Sequence, residues 1–67
     1  MAIHKVIEVV SQSDKSWDDA VSRALKDASK TVKGIKAIYV QDMEGLVKNN
    51  KIAVYRIKAK ITFEVGA

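Results

Sequence analysis

Apolar and polar positions change their spacing along this chain, and each change marks an element. Residues Ile3 to Val10 read Ile-His-Lys-Val-Ile-Glu-Val-Val, dominated by β-branched side chains, and predict a strand. Its apolar residues fall on both phases, as in a strand covered on one face and partly covered on the other. After the polar stretch Ser11 to Lys15 the spacing becomes helical. Trp17, Ala20, Val21, Ala24, Leu25, Ala28 and Val32 make one apolar stripe, with Asp18, Arg23, Lys26 and Lys30 opposite. Ser13 is placed to cap this helix, Asp14, Asp18 and Asp19 suit its positive end, and Lys26, Lys30 and Lys33 suit its negative end. Gly34 fits the position after it, so the helix is expected over about residues 14–33.

Ile35 to Gln41 predicts a second strand, continued in bent or bulged form through Asp42-Met-Glu-Gly-Leu-Val, with Gly45 as the expected irregularity. Lys48-Asn49-Asn50-Lys51 predicts a turn, because asparagine tolerates positive φ. From Ile52 the alternation is regular. Tyr55, Ile57, Ala59, Ile61, Phe63 and Val65 share one face, and Arg56, Lys58, Lys60, Thr62 and Glu64 the other. The last two strands form a hairpin and the first connects through the helix. The expected fold is therefore α+β, of order β-α-β-β. A three-stranded antiparallel sheet with the last strand central packs on one helix, as a single domain over residues 1–67.

Length then limits how such a domain is stabilised. With 67 residues and no cysteine, neither a large core nor disulfides are available. His4 is the only histidine, and a tetrahedral zinc site needs several His or Cys ligands. Association with further copies of the chain is the remaining option. No apolar run approaches the roughly 20 residues of a membrane span. The N-terminal residues carry no basic-then-apolar leader pattern, and a cytoplasmic location is expected.

Candidate chemistry is sparse. One histidine and no cysteine exclude most nucleophile–base pairs, and Gly34, Gly45 and Gly66 are too scattered to cradle a phosphate, so no enzyme is expected. His4 reads as a structural or surface residue, and Trp17, on the apolar stripe, as a core or subunit contact. Asp42 and Glu44 alternate on a strand and so share a side. Repeated around a symmetry axis they could gather calcium, which takes about six to eight oxygens. The formal charge of +4 points to anionic ligands, although the ten lysines are spread along the chain as on an ordinary solvated surface. Arg56, Lys58 and Lys60 form a basic row that binds an anion or pairs with carboxylates of neighbouring subunits, Glu8 and Glu64 being candidates. No exposed aromatics interleave with the row, which argues against nucleic acid.

The ordered set of segments resembles the dodecins, small flavin-binding proteins. The likeness runs through His4-Lys-Val-Ile-Glu-Val-Val, Ser13-Asp-Lys-Ser-Trp-Asp-Asp-Ala, Ile35-Lys-Ala-Ile-Tyr-Val and Tyr55-Arg-Ile-Lys-Ala-Lys-Ile-Thr-Phe-Glu-Val, nearly the whole chain. The resemblance implies a hollow homododecamer of cubic symmetry, helices outside and sheets lining the interior, that binds or stores FMN or riboflavin. The family's flavin-stacking tryptophan corresponds to Ala37, and a glutamine that bonds the ring edge corresponds to Arg56. Both family flavin positions are thus substituted. The stretches Val40-Gln-Asp-Met and Tyr55-Arg-Ile-Lys are similar to a branch lacking the tryptophan and associated with calcium. That branch points to Asp42, and the alternative function is a flavin-free assembly binding calcium or anions, or with a structural role.

Overall fold

A computed structural model describes residues 3–66 of the chain. The elements are β1 (Ile3–Ser13), α1 (Trp17–Ala28), β2 (Ile35–Lys48) and β3 (Lys51–Val65). They form one antiparallel sheet in the order β1-β3-β2, with the regularly alternating strand at its centre as the sequence predicts. The hairpin closes through Asn49 and Asn50, whose φ values of 54° and 62° are those of a two-residue primed turn. Lys48 pairs with Lys51 on either side of it.

The first strand runs three residues beyond the expected end at Val10, through polar Ser11, Gln12 and Ser13. Two of these face the helix and are tolerated there because each hydroxyl is bonded. Ser11 Oγ donates to the Ala20 carbonyl at 2.7 Å, and Ser13 Oγ donates to Asp19 Oδ2 at 2.6 Å. Ser13 is therefore a strand residue, paired with Tyr55, and not the helix cap. Its Oγ accepts the amide of Lys15 at 2.9 Å and so shapes the turn that follows. Ser16 is the cap, its Oγ accepting the amide of Asp19 at 3.0 Å. The helix is accordingly shorter at its start than the expected 14–33.

It is also shorter at its end. Beyond Ala28 the chain tightens, Lys30 and Thr31 donating to the carbonyls of Asp27 and Ala28 at 3.2 Å. The closing residue is Ser29, in a right-handed conformation, so Gly34 is not the helix terminator. Gly34 does adopt positive φ, 78°, but as the entry to β2. There a Cβ would stand 2.8 Å from the Glu64 carbonyl oxygen, which leaves glycine as the residue that fits.

The second strand departs from expectation in the position of its irregularities. Gly45 is in register with Tyr55, and the shifts fall at Lys36, at Gln41 and, on the β3 side, at Ala53. Gly45 has a packing reason instead, since an added Cβ would press on the Ile52 side chain at 3.2 Å. Each bulge inserts one residue and reverses the inside–outside alternation beyond it.

The helix lies over β1 and β3, and the contact is close because the touching residues are small. Ala20 and Ala59 have no solvent exposure, and with Ile57 they make the core. Val9, Trp17, Val21, Ile38 and Val40 pack around it. Trp17 meets Tyr55 edge to face with ring centroids 4.8 Å apart, consistent with its expected core role. Ile57→Ala removes a fully buried side chain from this small core and should cost about 2–5 kcal/mol, read from guanidinium unfolding curves of parent and variant.

Asp19 links strand, turn and helix. The hydrogen bond from Ser13 holds its carboxyl below the ordinary value of 3.8, burial opposes this, and Arg23, 2.7 Å away, adds to the lowering. A depressed carboxyl contributes stability above its unfolded pKa and loses it as the pH falls through the folded one. The stability advantage of the parent over Asp19→Asn should therefore be full above pH 3.8 and should shrink as the pH is lowered further, measured as Tm against pH.

Candidate ligand-binding face of the sheet

The sheet face turned away from the helix has no cover among the described residues. Side chains directly opposite one another in register share a face. On the open side they form cross-sheet rows: Val6, Thr62 and Ala37; Glu8, Lys60 and Tyr39; Val10, Lys58 and Asp42; Gln12, Arg56 and Glu44. Apolar and charged side chains are mixed, and Val6, Val10 and Tyr39 are all more than half exposed. A shallow depression of about 440 Å³ lies over the last two rows, lined by Val10, Asp42, Met43, Glu44, Arg56 and Lys58.

The Gln12–Arg56–Glu44 row is bonded across all three strands. Arg56 Nε donates to Gln12 Oε1 at 3.1 Å and Nη1 to Glu44 Oε1 at 3.2 Å. The backbone of Glu44 is held as well, its carbonyl accepting Trp17 Nε1 at 3.0 Å. The basic row is thus paired within the chain at Arg56. Of the carboxylates expected to serve it from neighbouring subunits, Glu64 meets Lys36 at 3.6 Å and Glu8 stands opposite Lys60. Gln12 escaped the sequence reading, although its alternation with Glu8 and Val10 on an extended β1 places it on this face.

Asp42 and Glu44 line the same depression, as their spacing predicts. They differ in what surrounds them. Glu44 is ion-paired with Arg56, whereas Asp42 lies opposite Lys58 and has no ion pair among the described residues. No three His, Asp or Glu side chains gather into a metal-sized cluster among the described residues. One chain therefore does not supply a calcium ion with enough oxygens, and Glu44 is already neutralised. Asp42 is exposed on the open face.

Ala37 and Arg56 are not one site within a chain. Ala37 pairs with Thr62, six residues along β3 from Arg56, a separation of about 20 Å on an extended strand. Ala37 offers no ring for stacking, and Arg56 already donates from Nε to Gln12 and from Nη1 to Glu44. His4 lies opposite Glu64 near the start of β1. No helix among the described residues is long and apolar enough to cross a membrane.

Comparison with known proteins accounts for this architecture. A sequence model of the dodecin family matches residues 3–66. The calcium dodecin of Mycobacterium tuberculosis is 29% identical over 65 residues, covering 97% of this chain and 92% of that protein. A solved structure of that calcium dodecin, described as calcium chelating with a calcium-binding site, superposes with a TM-score of 0.80 at 30% identity, over 91% of this chain and 87% of that one. The dodecin of Streptomyces coelicolor superposes with a TM-score of 0.92 at 26% identity, over 98% of this chain and 94% of that one.

Proposed function

This chain belongs to the dodecin family, and on that premise we propose that it is a non-enzymatic subunit of a homo-oligomeric shell that binds a small ligand on the inward faces of its sheets. The observation that carries the reading is the thinness of the isolated subunit. Its extents are 51 × 19 × 13 Å and its radius of gyration is 13.7 Å, where a compact chain of this length has about 11 Å. A slab with one helix on one face leaves the apolar side chains Val6, Val10 and Tyr39 in water. Further copies of the same chain are the partner that the family fold implies, and the arrangement proposed is the hollow dodecamer, one domain per subunit, in the cytoplasm.

Of the two ligand classes, the residues favour a divalent cation over a flavin. Stacking on an aromatic face is worth about 0.5–1.5 kcal/mol beyond area burial, and Ala37 provides none of it. Asp42 presents a carboxylate without an ion pair among the described residues on the open face, and copies meeting at a symmetry axis would gather several of them for calcium. The calcium-named relative supports this choice. With calcium bound at Asp42, the ion would cross-link subunits and stabilise the folded assembly.

Light scattering coupled to size exclusion should give a single species of roughly 90 kDa, a dodecamer of 7.4 kDa chains. A monodisperse monomer or dimer at micromolar concentration overturns the assembly. Calcium should raise the Tm of the parent and not of Asp42→Asn, because an ion that binds only the folded assembly stabilises it by mass action. Riboflavin and FMN should be quenched weakly by the parent and more strongly by Ala37→Trp in fluorescence titrations. Tight flavin binding by the parent, or a calcium response retained in Asp42→Asn, reverses the choice of ligand.

A further inference from the structure

We infer that Arg56 is a built-in counter-ion that withholds Glu44 from divalent cations and thereby sets how much cation the open face can take. The inference rests on the reading that this face holds a cation through Asp42, and it concerns the carboxylate next along the strand. Glu44 is half exposed and lines the same depression as Asp42, so burial among the described residues does not screen it from an ion. What occupies it is a guanidinium, with Arg56 Nη1 3.2 Å from Glu44 Oε1.

The arrangement is fixed from two sides. Gln12 on β1 accepts from Arg56 Nε at 3.1 Å, which turns the guanidinium along its row toward Glu44. Trp17 Nε1 holds the Glu44 carbonyl at 3.0 Å, which fixes the strand position from which the carboxylate projects. The Arg56 guanidinium has donors only, so it cannot join Glu44 as a metal ligand. Lys58, in the neighbouring row, adds a second positive charge beside the depression. A divalent cation at Glu44 would have to displace the guanidinium and remain a few ångströms from it. At a solvent-exposed site that repulsion corresponds to a loss of about tenfold in affinity.

The experiment is calcium titration by isothermal calorimetry of the assembled protein, in chelator-treated buffer, with the mass of each sample checked by light scattering. The parent is compared with Arg56→Gln and Arg56→Met, which remove the charge, with Arg56→Lys, which keeps it, and with Arg56→Gln combined with Glu44→Gln. Two neutral variants guard against one that does not assemble. Both should bind calcium about tenfold more tightly than the parent, or with added sites per chain. Arg56→Lys should stay within about threefold of the parent, because the point charge is retained. The Glu44→Gln addition should cancel the gain. Equal affinity in parent and neutral variants overturns the inference and leaves the Asp42 reading standing. Calcium binding by the neutral variants alone supports the inference and removes the Asp42 reading. An Arg56→Lys variant as tight as the neutral ones, or no binding by any of the proteins, overturns the inference.

Discussion

The close approach of the helix to the central strand governs the rest of the molecule. Ala20 and Ala59 meet with no solvent between them, and side chains of this size let a short helix settle directly on the sheet. The contact is tight but narrow. A helix of 12 residues covers part of one face of strands of 11, 14 and 15 residues, and the other face is left to neighbours. A small core on one side and an open face on the other are two results of the same packing. The open face is also where we propose that the ligand is held, and on that reading stability and binding would both depend on what the subunit leaves uncovered.

Much of this was legible along the chain. The unbroken alternation of β3 identified the central strand, the helical stripe identified the face that is buried, and the paired asparagines identified the hairpin turn. The errors came from polar residues whose partners are distant in sequence. Ser13 has the chemistry of a cap, and only its pairing with Tyr55 and its bond to Asp19 show it to be the end of a strand. Gly34 has the conformation expected of a helix terminator, yet its requirement comes from the Glu64 backbone thirty residues away.

The site was legible by type and less so by arrangement. Alternation alone places Asp42 and Glu44 on one side. It also places Ala37 on the opposite side from Asp42, because five residues separate them. The structure puts both on the open face, since the bulge at Gln41 resets the phase between them. No residue type at Gln41 announces such a bulge. Likewise the basic row was visible as charge, but its pairing depended on register, and register sets Arg56 between Gln12 and Glu44.

The Gln41 bulge has a bearing on how such a chain can diverge. It divides β2 into two stretches with separate inside–outside phases. In the first, Ile38 and Val40 pack on the core while Ala37 and Tyr39 between them face the open side, and in the second Asp42 and Glu44 face the open side. The extra residue acts as a joint between the two stretches. Open-face positions on either side of the joint, Ala37 and Tyr39 before it and Asp42 and Glu44 after it, can therefore change without altering the volume that Ile38 and Val40 fill in the core.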